Sequence, residues 1–181
     1  MNALVNKADL DKYKFVADSV KNITIWEQFV LEAQQFDVKN WLGDALLDEL
    51  STQIGTSPDS LTVLNEKLLA GGSYVYNDCT YLFQGLRAAI IYYAFARYTN
   101  YSAYNFTAAG IVIKETDYST PVGDKITQRL ETDSRLKADA IRDEVSLYLC
   151  RFHDSYPLWR HGGCGCGVPD KRTRTFKILG D

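Results

Sequence analysis

No stretch of this chain is apolar for long enough to cross a bilayer. The longest apolar run, Ala88 to Ala96, falls well short of the roughly 20 residues a spanning helix needs. The opening residues, MNALVNKADLDKYKF, lack the apolar segment of a secretory signal, so a cytosol-like compartment is expected. A basic excess is missing too. Lys and Arg number 20 against 23 Asp and Glu, for a net charge of −3 and a pI near 5.4. That balance argues against a general nucleic-acid binder while leaving room for a local basic patch. Catalytic signatures are scarce. The two histidines, His153 and His161, both fall late in the chain, and no G-x-S-x-G elbow accompanies them. Gly71-Gly72 is not followed by G-K-[ST], so it is no phosphate loop. Asp44, Asp48 and Glu49 cluster on a helix face, where solvated charge is the simpler reading. The expectation is a protein that is not an enzyme and needs no cofactor.

What is present points to one helical domain. Hydrophobic residues make up 46% of the 181, enough for a real core and too many for a disordered chain. Tyr occurs 12 times. Amphipathic Tyr suits a surface buried on assembly, and equally suits a core. Thr24 and Glu27 have capping-box spacing, and Trp26, Phe29, Val30, Ala33 and Phe36 recur on one helical face. Asp37 then caps a second helix with Val38, Trp41, Leu42, Ala45, Leu46 and Leu50 inward, stopping near Gly55. Ser57-Pro58 starts a third, with Leu61, Leu64 and Leu68 on one side and Gly71-Gly72 at its end. A long central helix is expected from about Asp78 to Asn100. Between Leu86 and Phe95 its one charge is Arg87, so it should be buried on most sides, with Leu86, Ile90 and Tyr93 in the core.

The pattern then changes. Gly110-Ile-Val-Ile-Lys114 is short and β-branched, which predicts a strand or hairpin arm around residues 107–115. Asp117-Tyr-Ser-Thr-Pro121 is turn chemistry, and Thr120-Pro121 repeats the cap-then-Pro helix start. A charged helix follows to about Tyr156, with Ile141, Val145, Tyr148, Leu149 and Phe152 as its apolar stripe and Pro157 closing it. This gives a mainly α fold, a helical bundle with a long central helix and a short β insertion. Residues 1–159 form the helical domain, and residues 160–181 form an extended C-terminal arm too poor in apolar surface to fold alone.

The four cysteines divide. Cys79 and Cys150 sit among apolar residues and read as small core hydrophobes, reduced in this compartment. His161, Cys164 and Cys166 are the residues that would hold zinc if any do, with His153 and Cys150 upstream. The Cys-x-Cys spacing and the lack of a second Cys pair argue against a metal there, and a Gly-rich turn with two thiols is the simpler reading. Lys171, Arg172 and Arg174 could meet DNA phosphates, and an acidic neighbouring chain is the preferred reading. The alternation through Thr173-Arg-Thr-Phe-Lys-Ile-Leu179 suits strand addition to a neighbouring sheet edge.

The order of these elements resembles a known family. Phe29-Val-Leu-Glu-Ala33 followed by Trp41-Leu-Gly-Asp-Ala-Leu-Leu-Asp-Glu-Leu50 resembles the opening helix pair of the head–tail connector (adaptor, or ring) proteins of tailed bacteriophages. Gly85-Leu-Arg-Ala-Ala-Ile-Ile-Tyr-Tyr-Ala-Phe-Ala-Arg97 looks like that family's central helix. Gly110–Lys114 with Tyr118-Ser-Thr-Pro-Val122, and Tyr156-Pro-Leu-Trp159, resemble its later segments. The variant most similar comes from phages of Bacteroidetes hosts, including the crAss-like group. The likeness spans roughly residues 22–160 and rests on order and pattern, with no catalytic signature. It implies a virion protein, made in the bacterial cytoplasm, repeated as a ring that is usually twelvefold. Its partners would be copies of itself, the portal protein, the next tail or ring protein, and double-stranded DNA passing without sequence specificity; no membrane is implied. Ring closure needs two different faces to meet. The candidate interface residues are Ile111 and Ile113 of the β segment and Arg172, Arg174, Phe176 and Ile178 of the arm. The competing reading is a small, non-enzymatic helical adaptor or regulator of a bacterial host, which should be a monomer or dimer with one groove. An enzyme should instead show a pocket with perturbed titrating groups.

Overall fold

The computed structural model describes residues 1–13, 23–56, 60–102, 104–107, 110–113 and 123–159. The fold is mainly α with short antiparallel hairpins. Its helices are α1 (Lys7–Tyr13), α2 (Ile23–Ala33), α3 (Lys39–Leu42), α4 (Asp44–Thr56), α5 (Val63–Ala70), α6 (Leu86–Ser102) and α7 (Asp124–Arg151). One hairpin pairs β1 (Gly72–Tyr76) with β2 (Cys79–Phe83), and another pairs β3 (Tyr104–Thr107) with β4 (Gly110–Ile113). The expected β element at 107–115 is therefore the second arm of a hairpin.

The centre is α6. The uncharged stretch between Arg87 and Arg97 lets it be buried on most sides, and Leu86, Ile90 and Tyr93 lie in the core as expected, with Ala88, Ala89, Ile91, Ala94 and Ala96. α7 packs along it most extensively, α2 covers another side, and α1 and α5 also touch it. α7 contributes Ser134, Ala138, Ile141, Val145, Tyr148 and Leu149. The helix stops at Arg151, a 3₁₀ turn follows at His153–Ser155, and Phe152 is half-buried. Past that turn, Tyr156 donates to the Leu64 carbonyl at 2.7 Å and Trp159 Nε1 to the Trp41 carbonyl at 3.3 Å.

The central helix is shorter than its apolar run suggests. Residues 79–83 form β2, so the helix expected from Asp78 begins at Leu86. Asn77 and Asp78 both have positive φ, 48° and 60°, the signature of the type I′ turn that matches strand twist. Tyr74 pairs with Tyr81 and Gly72 with Phe83, which turns the aromatic side chains to one face. Cys79, at the hairpin tip, is exposed and not a core residue. Cys150 is half-buried and packs against the core, as expected of a small hydrophobe. Gly71 (φ 77°) and Gly85 (φ 82°) pinch the hairpin's base. A Cβ on Gly85 would lie 2.4 Å from the Gly71 nitrogen, so neither can carry a side chain without moving backbone.

Between α2 and α3 the chain stays helical through a π-helical turn, Gln34–Val38. The wider turn adds a residue to the period. Ala33 and Val38, five apart, share the inner face, and Leu42 follows at normal spacing. Phe36, expected inside, is consequently 60% exposed, and Asp37 lies within the helical run where a cap was expected. Gly43 (φ 89°) then separates α3 from α4, a break within the expected second helix that leaves Trp41 half-buried and Ala45 exposed. α2 starts at Ile23, so Thr24 is not its cap. α5 is capped by Thr62, whose hydroxyl accepts from the Asn65 N–H, and its Leu64 is exposed. The Ser57-Pro58 and Thr120-Pro121 starts lie outside the described residues.

Candidate functional site

The chain's opening residues form a strap that the sequence pattern did not reveal. Leu4, Val5 and Leu10 are buried. Asn6 and Asp9 cap α1 reciprocally, each side chain accepting from the other's backbone N–H. The strap is held by Gln34, turned inward by the π turn and fully buried. Its Oε1 accepts from the Leu4 N–H at 2.8 Å, and its Nε2 donates to the Asn2 carbonyl at 3.1 Å. Asn2 also bonds Ser51 on α4, and Arg87 donates to the Leu4 carbonyl at 3.3 Å.

The same π turn supplies Asp37 to an ion cluster. Arg97 of α6 approaches Asp37 at 2.8 and 3.2 Å, and Arg135 of α7 at 3.5 Å. Arg97 also lies 3.8 Å from Glu32 and over the Phe36 ring. Arg135 bonds Glu131 at 3.0 Å. Burial opposes ionisation of Glu131, but hydrogen bonds from Arg135 and Asn100 outweigh it and hold the carboxyl below its ordinary range. Nearby, Tyr93 donates to Asp139 at 2.6 Å. Burial, then that bond and the carboxylate's charge, push the phenol well above its usual value. These groups tie three elements together and are consumed by one another, as in a structural network.

A third cluster joins the β1–β2 hairpin to the end of α7. Tyr74, Phe83, Tyr148, Phe152 and Tyr156 pack edge-on and stacked. Arg151 lies 3.7 Å over Tyr81 and donates to the Tyr74 hydroxyl at 2.7 Å. The aromatic set already has its own cation. Several of the chain's Tyr rings are thus spent inside the fold.

The surfaces left over are exposed and partly apolar. Val75 and Leu82 stand on the outer face of the hairpin, Leu82 at 77% exposure. α7, at 28 residues or about 42 Å, outruns α6, at 17 residues or about 26 Å. From Asp124 to Asp133 it buries nothing, and Ile126, Leu130 and Leu136 are exposed. Among the expected carboxylates, Asp44 and Asp48 are exposed, while Glu49 accepts from Asn65 and Gln53 at 2.9 Å each and so caps off polar groups under α5. Among the described residues no group of three His, Cys, Asp or Glu side chains could hold a metal, and no helix is long and apolar enough to cross a membrane. Ile111 and Ile113 fall on β4. His161, Cys164, Cys166, Arg172, Arg174, Phe176 and Ile178 lie outside the described residues, so the structure neither assembles nor separates them.

These features define a mainly α-helical protein with hairpin insertions, built around packing devices and open faces. Residues 38–167 match a family of unknown function, DUF6712, and the chain belongs to that family. No curated protein and no solved structure matches it.

Proposed function

We propose that this chain is a structural virion subunit, not an enzyme, that assembles with its own copies into a ring. Its place would be the head–tail junction of a tailed phage, between the portal and the next tail component, around the passing DNA. The observation carrying this reading is the first part of α7, which exposes Ile126, Leu130 and Leu136. A soluble monomer gains nothing from large apolar side chains left open on a helix, whereas a neighbour would cover them. Open hairpin edges add backbone groups suited to pairing with an extended segment, and the arm, residues 160–181, has the alternation to supply one. The resemblance in element order supplies the phage setting.

Native mass measurement and particle imaging of the full chain test the reading. Closed oligomers of many copies are expected. A monomer or dimer at every concentration overturns it and favours the small adaptor.

A further inference from the structure

Two of the exposed faces complement each other. On α2 and the π turn after it, Glu27, Leu31, Glu32 and the exposed Phe36 line a shallow groove, and α2 itself carries no Lys or Arg. On the first part of α7, Lys125, Arg129, Thr132, Asp133 and Leu136 line another. Lys125 and Arg129 are four residues apart on one face, a like-charge spacing that weakens a helix slightly. Neither has an ion pair among the described residues, nor does Glu27. The acids beside them are otherwise engaged, Asp133 by Lys137 at 2.6 Å and Glu131 by Arg135. Glu32 is answered by Arg97, which also lies over Phe36, so the charges left to a partner are Glu27 on one face and Lys125 and Arg129 on the other, each beside an exposed large apolar side chain, Phe36 and Leu136, the latter 63% exposed. Both α2 and α7 pack on α6.

We propose that the acidic α2 face of one copy seats the basic α7 face of the next, head to tail, with Glu27 opposite Lys125 and Arg129 and Phe36 against Leu136. The proposal rests on the reading that the chain assembles with itself, and it names the contact. Two different faces meeting is the arrangement that closes a ring, since each copy keeps one of each face free for the next. Opposed charge fixes direction and suppresses head-to-head pairing.

The test uses the full-length chain with Glu27→Arg, or with Lys125→Glu and Arg129→Glu together, followed by native mass and sedimentation. These side chains are exposed and have no ion pair among the described residues, so circular dichroism and melting should match the parent. Each variant alone meets like charge at every contact, and its half-assembly concentration should rise at least tenfold. Mixing the two variants makes every alternating contact complementary again and should restore large assemblies with even numbers of copies. Assembly of each single variant as readily as the parent overturns this contact and leaves the ring reading standing. A mixture that stops at two copies shows a two-fold contact and overturns the head-to-tail geometry together with the ring. A parent chain monomeric up to hundreds of micromolar overturns both.

Discussion

Replacing Gln34 with Leu should loosen the strap without opening a cavity, because the two side chains have similar volume. The wild-type amide answers two groups. The Leu4 N–H is buried at 2.8 Å from Oε1 and has no route to water, so losing its acceptor costs about 1–3 kcal/mol. The Asn2 carbonyl belongs to an exposed residue, and water can replace Nε2 there at little cost. The expected loss is therefore about 1–3 kcal/mol, and Gln34→Ala should lose more, since it adds a void beside Leu4 and Val38. In a chain of this size each kcal/mol lowers the melting midpoint by about 2–4 °C. Melting gives the total, and hydrogen exchange gives the location. Exchange at the Leu4 and Val5 amides should accelerate well beyond that at α6 amides, because the strap can open without global unfolding. A loss under about 0.5 kcal/mol with Leu4 still protected would refute the reasoning, since a buried donor cannot lose its acceptor for free.

Leu86→Ala, at a fully buried site in α6, should cost about 2–5 kcal/mol in urea unfolding, and a neutral result would place that helix at the surface. Tyr93 and Tyr156 both have phenols raised above the ordinary value of 10.0, first by burial. Above pH 10 the unfolded chain releases protons the folded chain keeps, so stability should fall as pH rises, and Tyr93→Phe should flatten that fall in alkaline melts. Glu131 has the opposite sign. Its lowered carboxyl stabilises fully above the ordinary carboxylate range and loses that contribution as pH drops through its folded value, so Glu131→Gln should reduce the acid sensitivity of the melting midpoint. Deleting residues 160–181 should leave the helical melt in place and weaken assembly measured by native mass. Unfolding of the truncated monomer, with a full chain that never assembles, would assign the arm to the chain's own core.

Much of the core was legible because its signal is local and strong. The uncharged run through α6 and the stripe Ile141, Val145, Tyr148 and Leu149 on α7 each declare a buried face by composition and period alone. The β1–β2 hairpin was hidden because the apolar residues of Cys79–Phe83 run straight on toward α6, and a short apolar run does not by itself distinguish strand from helix. Its true marker was the aromatic alternation Tyr74, Tyr76, Tyr81, Phe83 around Asn77-Asp78. Phe36 and Asp37 were misplaced because a 3.6-residue period has no provision for a π turn. The strap escaped because Leu4, Val5 and Leu10 follow no long period, and Gln34 acquires its role only through tertiary contact. For the candidate surfaces, the Tyr content suited an assembly face and a core equally, and several of those rings turn inward around Arg151. The first part of α7 has too few apolar residues to stand out from a solvated helix until its neighbours are known.

The π turn at Gln34–Val38 carries an implication for how this architecture can change. A wide helical turn amounts to a single-residue insertion into an ordinary helix. Deleting one residue there would restore the regular period and rotate everything on one side by about 100°, the angular step of an α-helix. Gln34 and Asp37 cannot both keep their orientations through that rotation. Either the hold on the N-terminal strap or the ion cluster linking α6 to α7 would then fail, although the two share no atoms. Substitution can erode each device without touching the other, while a one-residue deletion here cannot keep both, which makes the spacing from Ala33 to Val38 a sharper marker of this architecture than the identity of any residue inside it.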